Sequence, residues 1–429
     1  MNRTLAPFLA AATALAATLA VAAALLALGG HSPGAAFAAL LRGAFGSWDR
    51  FVSFTLVRAT PLLLTGLAVA LAFKARVWNI GAEGQLHAGA LAGVAAAILL
   101  PVHSPLLVLP ATLAAAAAAG ALWAAVPAAM KTRMGVGEVI TTLLMNFVAV
   151  FLAQFLVQGP LQEPRGVFNQ TGEIPLAARL PALLPDTRLH LGFLLGIAVA
   201  AVLWLYLTRT PGGFRLRAVG ASPRAAEVSG RFRATPVVWL AFLSSGAIAG
   251  LAGWIQVAGV THRMYEGLSP GWGYTAIAVA LLARLNPLAV VVTAIVFGAL
   301  SAGGGAMQRD AGVPEVWVRG IEALVVLAVL TVDRSWQVLA ARGQNPPGIR
   351  TATHPRRPLR FTRLRCKLYI TLCNVCYTFC RSKASLCVAP RANSAAIPPS
   401  SRLAGPAPRR SRCSGGFIHG LLARGGSRG

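Results

Sequence analysis

Between residues 5 and 332 the chain is a succession of long apolar runs separated by short polar connections, a pattern that very few folds accommodate. Crossing roughly 30 Å of hydrocarbon takes about 20 apolar residues in a helix. Ten windows approach that length: 5–28, 53–73, 84–100, 106–129, 138–157, 190–208, 235–258, 268–283, 288–306 and 314–332. The eighth is the weakest, because Pro270 and the glycines around it (Gly267, Gly271, Gly273) crowd its start, and a re-entrant segment is the alternative there. The first follows Arg3 and resembles a secretory signal, but 24 uncharged residues is long for a signal core. With 56% hydrophobic and 12% charged residues in 429, the chain has too little polar surface for a soluble globule. The expected fold is an all-α polytopic membrane protein of about ten transmembrane helices.

Charge supplies the orientation. The net charge of +27 would ordinarily suggest nucleic acid, yet the basic residues form no single face; they fall in short connections and after residue 350. If both termini are cytoplasmic, inside segments carry 15 Lys or Arg, six of them between Arg209 and Arg233, and outside loops carry 8. Positive charge accumulates on the cytoplasmic side of membrane proteins, so this orientation is favoured and nucleic acid is not an expected partner.

A second composition begins near residue 350. All six cysteines (Cys366, Cys373, Cys376, Cys380, Cys387, Cys413) lie beyond it, with 15 Lys or Arg and no acidic residue. Cys373, Cys376 and Cys380 lack a fourth ligand at sensible spacing, so no metal is expected. The chain divides into a transmembrane domain, 1–350, and a basic tail, 351–429, expected to be disordered or an out-of-frame extension.

Three stretches between the windows carry chemistry. Val77 to Ala88, VWNIGAEGQLHA, sets Asn79, Glu83 and Gln85 beside apolar segments, and polar groups at membrane depth line cavities or move something. The same residues also suit a helix entry, with Gly81 and Gly84 giving the turn and Glu83 favoured by the helix dipole. The outside loop 159–189 has five prolines and a polar run, stiff and exposed enough to receive a soluble partner. In the inside loop 209–233, Ser222 as cap, Pro223 at the first helical position and Gly230 as terminator predict a helix of about seven residues. So short a helix gains stability only by docking on something.

Four ordered blocks carry a family resemblance: TLVRATPLLLTGLAVALAFKARVWNIGAEGQ, GVGEVITTLLMNFVAVFLAQFLV, GGFRLRAVGASPRAAEVSG and GYTAIAVALLARLNPLAV. Over about residues 50–333 the chain resembles the permease subunits of bacterial ABC importers for nucleosides and simple sugars. The resemblance implies a multi-pass protein of the bacterial cytoplasmic membrane, embedded in lipid and commonly paired with a second, different permease subunit. It further implies a separate ATPase, an extracytoplasmic substrate-binding protein and no cofactor. The loop holding Arg215, Arg217, Gly220, Ala225, Ala226 and Glu227 is similar to the segment that docks into the ATPase. Asn79, Glu83 and Gln85 fall where the resemblance places a polar motif of the pore-forming core.

Glu138 and Asn146, eight positions apart and so close to one helical face, are further candidates for the translocation pathway, with packing against neighbouring helices as the plain alternative. Gly89 with Gly93 and Gly246 with Gly250 have the spacing that lets helices approach. Arg319 and Glu322 suit a local ion pair. The four lysines follow no GxxxxGK[ST] pattern, so the energy source lies elsewhere. An intramembrane enzyme is disfavoured: the four aspartates (Asp49, Asp186, Asp310, Asp333) avoid mid-span positions and there is no HExxH. A permease for another small polar solute and a passive channel are the remaining alternatives.

Overall fold

The computed structural model describes residues 5–100, 104–228 and 233–314, with residues 317–321, 323, 324 and 327 beyond them. Regular structure there is helical, with three isolated β-bridges. In chain order the helices are α1 (Leu5–Leu28), α2 (Pro33–Phe45), the single turn α3 (Trp48–Arg50) leading through a π-helical stretch (Phe51–Leu56) into α4 (Val57–Lys74), α5 (Ala82–Leu99), α6 (Pro105–Met134), α7 (Glu138–Gln158), α8 (Gly192–Arg209), α9 (Pro211–Ala221), α10 (Pro223–Val228), α11 (Ala234–Gln256) with a π-helical end (Val257–Thr261), α12 (Trp272–Leu282) and α13 (Pro287–Asp310).

The first nine apolar windows each hold a helix; the tenth falls only partly within the described residues. Among the described residues, six helices are long and apolar enough to cross a membrane alone, or seven if α1 and α2, bent by 119°, form one broken span. The difference from ten has a physical cause. α12, at 11 residues or about 17 Å, is too short to cross unaided, and α5, as long as α8, opens with Glu83, Gln85 and His87 and so is less apolar than the six. Helix α2 occupies what composition presents as a loop; Ser32 caps it, Pro33 starts it, and it packs on α13 where Gly43 meets Ala306. The tail and Gly230 lie outside the described residues, as does Glu322 of the expected pair with Arg319.

Burial sorts core from lipid face. Of the apolar window containing α4, 94% is buried, against 22% for α6 and 28% for α7, so α4 is the central post and α6 and α7 face outward. Lipid tails are as apolar as leucine and give helices little reason to associate, so close packing must hold them together. Glycine supplies it. A Cβ on Gly89 would lie 2.3 Å from Gly250 Cα, one on Gly250 2.4 Å from the Ala116 carbonyl oxygen, and one on Gly120 2.2 Å from that of Gly246. Helices α5, α6 and α11 therefore meet backbone to backbone, as the small-residue spacing predicted.

Candidate functional site

The polar motif after α4 folds back into the helix bundle. Asn79 is fully buried; its Nδ2 donates to Ser245 Oγ (2.9 Å) and Gln85 Oε1 (3.0 Å), while its Oδ1 accepts from Gln85 Nε2 (3.0 Å) and the Gly81 N–H (3.1 Å). Ser245 in turn donates to the Ala68 carbonyl (2.8 Å). Ser245 stands eleven residues into α11, so the network lies about 17 Å from the start of that helix, near mid-membrane depth. Helix α5 thus begins inside the bundle.

Asn146 locks the same turn from α7. Its Oδ1 accepts from the Gly84 N–H (2.8 Å), and its Nδ2 donates to the Ile80 carbonyl (2.9 Å) and Tyr274 Oη (3.3 Å). Thr142, one turn earlier, accepts from the Ile80 N–H (3.2 Å). Glu83, 3% exposed in the first turn of α5, accepts from the Gly273 N–H at the start of α12 (2.6 Å). Two helix N-termini, each carrying partial positive charge, therefore share one carboxylate. Buried polar groups are tolerable when satisfied, and here they are satisfied by one another.

The structure thus brings Asn79, Glu83, Gln85 and Asn146 together, none with an exposed side chain. Glu138 stands apart at the start of α7, where it pairs with Lys131 at the end of α6 across the Gly135 turn. Thr142, Ser245, Gly273 and Tyr274 belong to the network without having been singled out by sequence. Thr142, Ser245 and Tyr274 carried a weak signal, as side chains with a polar tip in apolar windows.

Helices α9 and α10 form an elbow at the opposite end of α4 from the π-helical stretch. Thr210 caps α9 through the Gly213 N–H (3.1 Å), and Ser222 caps α10 through the Ala225 N–H (3.3 Å). The expected cap is present, and α9 is additional. Leu216, Val219, Gly220 and Ala226 are buried, whereas Arg215, Arg217, Ala225 and Glu227 are exposed. Glu227 accepts from the Ala234 N–H (3.3 Å), joining the elbow to α11. A Cβ on Gly220 would lie 2.0 Å from the Lys74 carbonyl oxygen, so α9 sits directly on the end of α4.

Residues 51–330 match the family described as branched-chain amino acid transport system, permease component. The chain belongs to this family of ABC importer permeases. It is 38% identical over 290 residues to the glucose ABC transporter permease protein TsgB13 of Haloferax volcanii, covering 65% of this chain and 75% of that protein. Over 316 residues it is 34% identical to the guanosine ABC transporter permease protein NupP of Bacillus subtilis, covering 72% and 89%. Over 309 residues it is 27% identical to the nucleoside ABC transporter permease protein NupB of Lactococcus lactis, covering 70% and 84%. No solved structure matches it. The permease is a multi-pass membrane subunit that works with an ATPase and a substrate-binding protein, and is not itself an enzyme.

At the end of the permease away from α9 and α10, loop 159–190 is not free. It lies over the π-helical end of α11, with the Leu180 N–H on the Ala258 carbonyl (3.0 Å), the Ile174 N–H on that of His262 (3.0 Å) and the Thr171 N–H on that of Met264 (2.8 Å). Arg263 bridges Glu163 (3.2 Å) and Glu173 (3.0 Å), and Arg179 also pairs with Glu173. Those two guanidinium groups hold the Glu173 carboxyl below its ordinary range. Beneath this cap, His190 is buried with its ring against Gly259; its Nδ1 accepts from the Gly192 N–H (3.2 Å), and its Nε2 has no hydrogen-bond partner among the described residues. Burial, with His262 adding a second unfavourable charge, pushes His190 down to about 4.

Proposed function

We infer that the permease is one half of a paired translocation pore in the bacterial cytoplasmic membrane, carrying nucleosides or simple sugars, with a different permease subunit as the other half. Relatives named for guanosine, nucleosides and glucose support the substrate class. Both termini are cytoplasmic in this reading, which places the α9–α10 elbow inside and the 159–190 cap outside. The observation that carries the coupling role is the two-sidedness of the elbow: Leu216, Val219, Gly220 and Ala226 fasten it to the bundle, and Arg215, Arg217, Ala225 and Glu227 are left for the ATPase. Asn79, Glu83, Gln85 and Asn146 serve the pathway as positioning residues, fixing α5, α7 and α12 relative to one another. Glu138 and Lys131 sit at its cytoplasmic mouth. The tail after 350 takes no part in transport.

Two measurements test this. In a chain stripped of its tail cysteines, Gln170→Cys should react with a membrane-impermeant thiol reagent added outside, and Ser222→Cys only after permeabilisation; the reverse pattern would overturn the orientation. Gly220→Leu must push α9 off α4, because the new side chain has no room against the Lys74 carbonyl. Uptake should fall by at least about tenfold with membrane abundance retained, since misplacing a positioning contact by an ångström costs on that order or more. Normal ATP-dependent uptake by that variant would remove the elbow from the coupling path, and uptake that ignores ATP would favour a passive channel.

A further inference from the structure

Helix α2 keeps its small residues inward and its large apolar ones outward. Ala36, Ala39 and Gly43 are buried against α1 and α13, where Gly43 abuts Ala306. Thr55 of the π-helical stretch fixes the last turn by donating from its Oγ1 to the Ala44 carbonyl (3.0 Å). Leu41, Phe45 and Trp48, by contrast, are 59%, 57% and 72% exposed. They belong to one patch, because the Phe51 ring lies 5.9 Å from that of Phe45 and 6.1 Å from that of Trp48. A contiguous apolar patch of this kind marks a surface that something apolar covers.

Its depth identifies the cover. Helix α2 turns 119° from α1, so with α1 crossing near the membrane normal it lies about 30° from the bilayer plane. Ala306 is the twentieth residue of α13, about 29 Å from the start of that helix. Along the continuous helix Trp48–Lys74, Arg50 stands 24 residues, about 36 Å, ahead of Lys74. Both measures put α2 and α3 where hydrocarbon gives way to headgroups, the level that Trp favours and at which an amphipathic helix lies flat.

Two guanidinium groups stand beside the rings. Arg50 Nη1 donates to the Arg42 carbonyl (3.2 Å), which brings its fork to the residue whose own side chain leaves the last turn of α2. Both residues are exposed, and neither forms an ion pair among the described residues. Asp49 is adjacent in the chain, yet its Oδ1 accepts from Ser53 Oγ (2.8 Å). At headgroup depth, then, two cations flank an apolar patch with no carboxylate bound to them.

We propose that the corner formed by α2 and α3 binds an anionic phospholipid of the outer leaflet, with its phosphate held between Arg42 and Arg50 and its acyl chains laid along Leu41, Phe45 and Trp48. The arginine fork matches a phosphate, and each cation near a charged bilayer surface strengthens binding severalfold. A zwitterionic lipid makes the same apolar contacts but brings a cation of its own, so charge supplies the selectivity. The bound lipid presses α2 onto α1 and α13 from the membrane side. Assignment to the outer leaflet follows from the orientation proposed above; the site itself does not depend on it.

The test uses the assembled transporter in detergent, its thermal midpoint followed as phosphatidylglycerol is titrated into the micelles. The midpoint should rise with phosphatidylglycerol and much less with phosphatidylcholine at equal content. Arg42→Gln/Arg50→Gln should raise the half-saturating phosphatidylglycerol content about tenfold or more. Arg165→Gln, which removes an exposed cation from the cap, should leave it within about twofold. Because Arg50→Gln also removes the bond to the Arg42 carbonyl, Arg42→Gln alone, with a shift of about threefold or more, decides the matter if the double variant fails to fold. An equal response to the two lipids, or an unshifted titration in the arginine variants, would overturn the site. So would the same stabilisation by glycerol 3-phosphate, which has no acyl chains, since the ligand would then be a soluble anion. If Gln170→Cys labels from the wrong side, the orientation falls and the site moves to the inner leaflet with its lipid titration unchanged.

Discussion

Glu83→Ala is expected to destabilise the permease by about 3 kcal/mol, the loss of a buried, charge-assisted hydrogen bond together with the field of two helix ends. Helices α5 and α12 begin facing one another, and the first N–H groups of any helix lack intrahelical acceptors. Water would satisfy such groups at a surface; at 3% exposure it does not reach these. The Glu83 carboxylate accepts from the Gly273 N–H at 2.6 Å and places a negative charge where two positive ends converge. Alanine leaves that N–H unpaired and the dipoles opposed. Thermal unfolding in detergent should show a lowered midpoint, and uptake should be lost because α12 no longer has a fixed start. Glu83→Gln retains an acceptor but not the charge, so it should recover about half of the lost stability. A Glu83→Ala protein that unfolds with the wild type would show that the carboxylate does not hold α12.

The same residue marks how far the sequence could be read. VWNIGAEGQLHA stood out because polar side chains beside apolar windows need a reason, and Asn79, Glu83 and Gln85 do share one network with Asn146. What they bond to was not legible. Asn79 meets Ser245 across 166 positions and Glu83 meets Gly273 across 190, and no local periodicity encodes such pairs. Window counting likewise cannot tell where a helix stops: the 268–283 window holds α12 of only 11 residues, where Pro270 and the glycines had left a re-entrant segment as the alternative. Helix α2 was missed for the opposite reason: its thirteen residues are too short for a span and too alanine-rich to read as polar loop. Short-range capping at Thr210 and Ser222 follows directly from local chemistry, which is why the elbow came closest to expectation.

Acid should weaken the cap, and one histidine should account for most of the effect. His190 is packed beneath loop 159–190 against Gly259, and the titratable and charged groups grouped with it are His262, then Arg179 and Glu173 beside His262. A proton on His190 would place a cation in an apolar site next to a second imidazole, so its folded value is held at about 4, below the ordinary 6.5. The sign follows from which state takes up the proton. Above pH 6.5 both folded and unfolded chains leave His190 neutral, and its full contribution to stability is present. As pH falls from 6.5 towards 4, the unfolded chain is protonated and the native fold is not, so stability declines by about 1.4 kcal/mol per pH unit, reaching about 3 kcal/mol. Thermal midpoints measured in detergent between pH 7.5 and 4 should drop accordingly, and protease should cut loop 159–190 sooner at the acid end. His190→Asn keeps an oxygen able to accept the Gly192 N–H and removes the titration, so its midpoint should be lower at pH 7.5 yet vary much less with pH. If the two proteins lose stability in parallel on acidification, the acid sensitivity belongs to the Glu173, Arg179 and Arg263 cluster and not to the histidine beneath it.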